Sequence, residues 1–267
     1  GTLGLAPDRP FLLHVKAKGE ASTGRFSALA ESGTSRPVDA SGVWGPDGGS
    51  AQGRVELAAS THTQPLVARL GPQVQFAVTG RKAGQGLFDL EADLTSDNVA
   101  VTAKGKSNLG ERRTGPQGVV LTASARELSK VTGGPSMGLG RVDGVLTGSL
   151  DDLRLVGSAD VARLQLGAYG LDRASGPFEL TRKDKVLALE ARIAGVGGRG
   201  SGLAAALLGA RPTAVVDAAR LADGRLMLRK IEANGAGLNV DASGGRSLLG
   251  GLNFKGAASF TNLAAAR

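Results

Sequence analysis

The residues from Ala222 to Gly245, ADGRLMLRKIEANGAGLNVDASGG, constrain the chain more than any other stretch. Asp223-Gly224 reads as a tight turn opening a strand-like run from Arg225 to Ala233, and Asn234-Gly235 as the turn that follows it. Leu238, Val240 and Ala242 then alternate with Asn239, Asp241 and Ser243. A period of two lines one face of a strand with apolar side chains. Asp-Gly and Asn-Gly supply the positive φ angles that hairpin turns need. The repeating unit is strand, turn, strand, turn.

Most of the 267 residues repeat it. Phe11, Leu13, Val15 and Ala17 alternate with Leu12, His14, Lys16 and Lys18. Phe88, Leu90, Ala92 and Leu94 alternate with Leu87, Asp89, Glu91 and Asp93, and Val99, Val101 and Ala103 answer them across Ser96-Asp97-Asn98. Val119, Leu121 and Ala123 resume the pattern after a polar stretch, 108–118, that reads as a loop, as do 32–37 and 45–49. Beyond Val142 the period tightens, with strands expected at 145–150, 153–156, 159–166, 178–180 and 186–193, and turns at Asp151-Asp152 and Lys183-Asp184. Turn signals at intervals of about 8 to 12 residues indicate an all-β fold of about 18 to 20 strands. Parallel βαβ units would need a helix of about ten residues or more between strands. Residues 125–131 read as a helical turn or a loop. One helix is expected, near 201–208, capped by Ser201 and ended by Gly209 and Pro212. The Gly-rich stretch 133–140 is the expected point of subdivision.

Gly supplies 42 residues, where ordinary usage of roughly 7% would give about 19. The excess reads as turns and closely spaced strands. Aromatic residues are only 3%, with one Trp (Trp44) and one Tyr (Tyr169). A thick sandwich core wants larger side chains, whereas Leu, Val and Ala suit a thin or open sheet. The expected architecture is an elongated, curled β-sheet groove of many short antiparallel or meandering strands. Such a sheet has an apolar face that must close on itself, stack, or form a trough that something else fills.

The net charge is +8, from 32 Lys and Arg against 24 Asp and Glu. This suits either a basic soluble surface or attraction to anionic headgroups. Nucleic acid is disfavoured, because the cations are dispersed and stacking aromatics are nearly absent. No cysteine is present, so there are no disulfides and no thiol chemistry. No apolar run of about 18 residues could span a membrane as a helix. The chain opens in Gly1-Thr2-Leu3-Gly4 and closes in Ala264-Ala265-Ala266-Arg267, which suggests a segment of a longer protein anchored elsewhere.

Several motifs resemble chemistry and fail on inspection. Gly195-x-Gly197-x-x-Gly200, with Asp217 beyond it, matches a dinucleotide fingerprint. The helix after it is too short, and no βαβ units follow. Gly134-x-Ser136-x-Gly138 matches a nucleophile elbow, but its acid and histidine should follow the serine, and both histidines, His14 and His62, precede it. Gly105-Lys106-Ser107 lacks the first glycine of a phosphate loop, because Ala100 stands there. Gly197-Gly198-x-Gly200 lacks the Asp of a calcium nonapeptide, with Gly202 in its place. Two histidines without cysteine make no zinc site; both read as surface residues on or beside polar strand positions. Adjacent Asp151 and Asp152 read as a turn. No enzyme, cofactor or metal is expected.

From Val142 to Arg267 the sequence resembles the bacterial TamB-like proteins of the AsmA-like superfamily. The resemblance rests on Gly144-Val-Leu-Thr-Gly-Ser-Leu, Leu153-Arg-Leu-Val-Gly-Ser-Ala, Gly200-Ser-Gly-Leu-Ala-Ala-Ala-Leu-Leu-Gly and Ala222-Asp-Gly-Arg-Leu-Met-Leu-Arg-Lys-Ile, followed by Gly235-Ala-Gly-Leu and Ala242-Ser-Gly-Gly. Residues 1–141 share the rhythm with fewer specific strings and form the first expected segment; 142–267 form the second, continuing the same sheet. The resemblance implies an inner-membrane-anchored protein that crosses the periplasm, works with an outer-membrane barrel partner of the TamA type, and moves phospholipid along an apolar β-groove in support of outer-membrane protein assembly. It implies no catalytic residues. On the residues themselves, Leu90, Leu121, Leu153, Leu189, Leu228 and Val240 are the expected lipid-groove lining. The competing readings are a secreted β-solenoid or adhesin-like stalk, which would fill its own core, and an outer-membrane barrel, which would need aromatic girdles.

Overall fold

The computed structural model describes residues 10–261, and both chain ends named above lie outside them. The chain divides into two compact units, Gly1–Gly133 and Gly134–Arg267. The first contains β1 (Phe11–Gly19), β2 (Gly24–Ser32), β3 (Ser35–Gly45), β4 (Gly48–Glu56), β5 (Gln73–Gly84), β6 (Leu87–Ser96), β7 (Val99–Asn108) and β8 (Arg113–Ala125). Each pairs antiparallel with its neighbour in sequence, so the unit is a meander. Among the described residues β1 and β8 do not pair, so the sheet is open.

The second unit contains β9 (Gly140–Gly148), β10 (Leu153–Leu166), β11 (Tyr169–Lys183), β12 (Val186–Val196), the two-residue β13 (Arg199–Gly200), β14 (Thr213–Arg220), β15 (Leu226–Asn234), β16 (Leu238–Arg246) and β17 (Leu252–Phe260). It too is an antiparallel meander. β13 adds only a short pairing with β11, and β12 pairs directly with β14. The fold is all-β, as the periodicity dictates, with seventeen strands among the described residues.

The registers align like with like. In the first unit Ala17, Phe26, Gly42, Ala51, Val78, Ala92, Ala103 and Leu121 stand opposite one another across all eight strands. The adjacent row on the other face reads Lys16, Ser27, Ser41, Gln52, Ala77, Asp93, Thr102 and Thr122. In the second unit Leu146, Leu155, Leu180, Leu189, Ala218, Leu228, Gly244 and Phe254 form an apolar row. A slip of one residue would turn a whole strand inside out, so the two-faced pattern enforces these registers.

Much of the glycine excess sits within strands rather than in turns. Gly157 lies inside β10, so the strands expected at 153–156 and 159–166 are one strand of 14 residues. A side chain at Gly157 would overlap the carbonyl of Asp143 on the neighbouring strand. A methyl group at Gly53 would stand 2.8 Å from the Cβ of its partner Ala40, and one at Gly256 2.8 Å from that of Ala242. Directly opposed Cβ atoms in a regular sheet lie about 4.5–5.5 Å apart. The strands therefore converge on the apolar side, and each sheet bends toward it. Phe26 lies against Gly42 and Trp44 against Gly24, each ring covering the glycine opposite.

Other expectations shift for local reasons. Stretches 32–37 and 45–49 are mostly strand, joined by two-residue turns at Gly33-Thr34 and Pro46-Asp47, and 108–118 is strand from Arg113. The β11–β12 turn is Asp184-Lys185, both at positive φ (50° and 65°), as a two-residue hairpin turn requires. Besides α3 (Gly202–Leu208), at the expected site, there are α1 (Gln64–Leu70), α2 (Leu128–Thr132) and a 3₁₀ turn (Leu57–Ala59). Ser201 occupies the N-cap without a side-chain bond. The signal for α1 was Thr63-Gln64-Pro65, which places proline in the first turn.

The helices sit at one end of each apolar face, where the tightest packing is. In the first unit Ala30, Leu57, Val74 and Ala125 are buried there, and Thr63 Oγ1 donates to the Leu57 carbonyl at 2.6 Å. In the second, Tyr169, Leu171 and Ala174 form a core with Leu164, Ala205 and Leu208. Tyr169 Oη donates to the Gly209 carbonyl at 2.7 Å, and the amide of Gly237 donates to Leu207 O at 3.0 Å, so α3 is tied to β11 and to the β15–β16 connection.

Candidate functional site

The candidate site is the apolar face of each sheet. Leu90 stands between Gly80 and Gly105, and Leu121 opposite Ala103, on the same face of the first unit. In the second unit Leu189 pairs with Leu180 and Ala218, Leu228 with Ala218 and Gly244, and Val240 with Ala233 and Ala258. Leu153 lies two residues before Leu155 on that face, at its margin. The registers thus bring Leu153, Leu189, Leu228 and Val240 onto one surface, and Leu90 and Leu121 onto another.

None of the six is buried, and no protein element covers the middle of either face among the described residues. Val78 is 39% exposed, Leu94 37%, Leu189 37% and Phe254 49%. The four central rows of each face contain no carboxylate. An uncovered apolar face of this kind is a candidate site for another molecule.

Carboxylates are segregated to the opposite faces and the turns. On the second unit's polar face Arg154 grips Glu179 through two bonds of 2.6 and 2.7 Å, Arg229 pairs with Asp217 at 2.8 Å and Arg173 with Asp160. The hydrogen bonds from Arg154 hold the Glu179 carboxyl below its ordinary value, and the same contact raises Arg154. The Arg225 backbone amide lowers Asp223 in its turn, and Glu232 raises Lys230. Burial pushes the Tyr169 phenol upward. These shifts come from surface ion pairing and packing, and none converges on a cleft. A cavity of about 720 Å³ lies on the first unit, lined by Lys16, Lys18, Arg25, Ser27 and Gln52 together with Ala17, Phe26, Val43, Ala51 and Val78. An acyl chain there would meet ammonium and hydroxyl groups, so the apolar face is the better site.

The chemical motifs dissolve in the structure. Ser136 is exposed and bridges Gln165, away from either histidine in sequence. Asp217 is engaged by Arg229, and α3 is a seven-residue helix. His14 is on the polar face of β1, 3.7 Å from Glu31; His62 lies in a turn before α1, not on a strand. Among the described residues no group of His, Cys, Asp or Glu is placed to hold a metal ion, and no helix is long and apolar enough to cross a membrane.

One feature escaped sequence reasoning. At the margin of the second unit's apolar face, Leu153, Arg182, Leu187, Arg220, Leu226, Arg246 and Leu252 form a single row across seven strands. The three arginines are far apart in sequence, and only the registers align them.

Fold and face together define a class: an open antiparallel sheet with one uncovered, carboxylate-free apolar side. No protein family, curated protein or solved structure matches the chain.

Proposed function

We propose that the chain is a lipid-carrying segment of a TamB-like periplasmic protein, holding phospholipid acyl chains along the apolar faces of its two sheets. The observation that carries this is the uncovered face itself, in which Leu, Val, Ala and Gly rows run the breadth of each meander while carboxylates are confined to the other side and the turns. Covering each acyl methylene contributes about 0.8 kcal/mol. A chain of about 16 carbons therefore costs roughly 12 kcal/mol to expose to water, and a carrier needs continuous apolar lining rather than catalytic groups. A row across eight strands spans roughly 34 Å at about 4.8 Å per strand. One leaflet's acyl layer is about 15 Å deep, so a chain fits along a single row.

In this reading the chain lies between the two membranes, joined to the inner one through an anchor outside the sequence and to a barrel of the TamA type at the outer one. The sequence strings from Gly144 to Gly245 and the open β-meander support it. A self-filled stalk would instead bury Leu189, Val78 and Phe254. The test is lipid mass spectrometry on the protein purified from bacteria without detergent. Phospholipid near one molecule or more per chain is expected; a lipid-free, cooperatively folded protein that takes up none from vesicles would overturn the reading.

A further inference from the structure

The arginine row gives this lipid reading a chemical specificity. Arg182, Arg220 and Arg246 stand on β11, β14 and β16, two strands apart each time, so their backbones are spaced about 10 Å apart. Leu187 and Leu226 separate them, and Leu153 and Leu252 flank them. All three are exposed. Among the described residues none forms a salt bridge, whereas the polar face of the same unit pairs Arg154, Arg173 and Arg229 with carboxylates. Arg182 donates only to the Leu150 carbonyl, at 3.1 Å.

The row lies at the end of the strands opposite α3. It borders the Leu155–Leu180–Leu189 row directly, so a molecule could lay its tail on leucine and its head on guanidinium. Between Arg182 and Arg220 a cavity of about 290 Å³ is lined by both arginines, Lys185 and Leu187, with no carboxylate in its wall. Carboxylates at this end sit in the turns: Asp151 and Asp152 between β9 and β10, Asp184 between β11 and β12, and Asp223, which is engaged by Arg225.

We propose that Arg182, Arg220 and Arg246 form a headgroup rail that selects phospholipids of net negative charge, binding the phosphodiester while the acyl chains occupy the adjacent apolar rows. Guanidinium groups offer forked donors that match phosphate oxygens two at a time. The inference rests on the lipid-carrying reading and adds the class of lipid preferred. Each basic group near an anionic lipid surface is worth about fivefold in association, so three give a preference of roughly tenfold or more even when partly screened by salt.

The full chain, stripped of lipid, is incubated with vesicles of phosphatidylcholine containing 30 mol% phosphatidylglycerol (about one lipid in three), separated from them, and its extracted lipid is quantified by mass spectrometry. The expected result is at least about tenfold enrichment of phosphatidylglycerol over phosphatidylcholine, relative to the vesicle composition. The Arg182→Gln/Arg220→Gln/Arg246→Gln variant should lose the enrichment, its phosphatidylglycerol-to-phosphatidylcholine ratio falling to that of the vesicles. A control with equal charge removed from the polar faces, Lys16→Gln/Arg25→Gln/Arg192→Gln, should retain it. Lipid uptake without enrichment in the unmodified chain, or enrichment unchanged in the folded arginine variant, overturns the rail and leaves the carrier reading standing. No lipid uptake at all overturns the carrier reading, and the rail with it.

Discussion

Leu189→Asp places a charge at the centre of the second unit's apolar face. Leu189 projects between Leu180 and Ala218 and keeps 37% of its surface exposed. Fully covering a leucine contributes about 1.5–3 kcal/mol. The exposed fraction thus makes a covering acyl chain worth about 0.6–1.1 kcal/mol at this residue. Truncation by Leu189→Ala should therefore weaken acyl binding about three- to sixfold. Leu189→Asp costs more, because bound lipid must either desolvate the carboxylate, at several kcal/mol, or lift away from it. We expect the retained lipid to fall by at least about tenfold, since about 1.4 kcal/mol already gives that factor. The assay is displacement of a fluorescent fatty-acyl probe together with lipid mass spectrometry, and thermal unfolding establishes that the variant is folded. Val43→Asp, on the polar face opposite Arg25 and 54% exposed before substitution, is the matched control and should bind normally. A folded Leu189→Asp protein with an unchanged lipid load would refute acyl contact at this face.

Tyr169→Phe removes the bond to the Gly209 carbonyl and should destabilise the second unit by about 1–2 kcal/mol in urea unfolding, because the acceptor loses its partner at a site where Tyr169 is 1% exposed. Burial raises the Tyr169 phenol, so its contribution is full below the free phenol's value near 10 and declines as pH rises through the folded value; unfolding followed above about pH 10 should show the loss, and Tyr169→Phe should abolish that dependence. Gly157→Val would drive a branched side chain into the Asp143 carbonyl and should cost about 1–3 kcal/mol, read from the same urea curves; no loss would mean that the sheet is less bent there than described. Glu179 is held low by Arg154, so its contribution is present above the free carboxyl value near 4.3 and fades as pH falls through the lower folded value. Glu179→Gln should flatten the acid limb of the stability profile, and an NMR midpoint for Glu179 at or above about 4.3 would contradict the pairing.

The fold class could be read in the sequence because side-chain alternation is a local property: Leu238, Val240 and Ala242 face one way whatever pairs with them. The same holds for α3, whose Ala-Leu run and terminal glycine are contiguous. Strand boundaries were less legible where glycine was taken for a turn. Gly157 belongs to a strand because the bent sheet leaves no room for a side chain there, and that crowding comes from a neighbouring strand. α1 was missed because seven residues with two leucines and a valine carry little helical periodicity, and the proline that starts it reads equally as a loop. Of the six expected lining positions, alternation alone set each on an apolar strand face. That Leu153, Leu189, Leu228 and Val240 share one surface followed only from the registers, including the irregularities between Asp217 and Ala218 and between Leu228 and Ile231, across which Leu228 stands opposite Ala218 and Gly244.

The alignment of Arg182, Arg220 and Arg246 was the least legible feature. Each looks like an ordinary cation at a strand end. Sequence determined that this chain makes two-faced antiparallel strands, since apolar spacing and turn chemistry act within a few residues. Tertiary structure decided which rows those faces contain, because register is a relation between strands, fixed by burial and by the length of each turn rather than by any one strand.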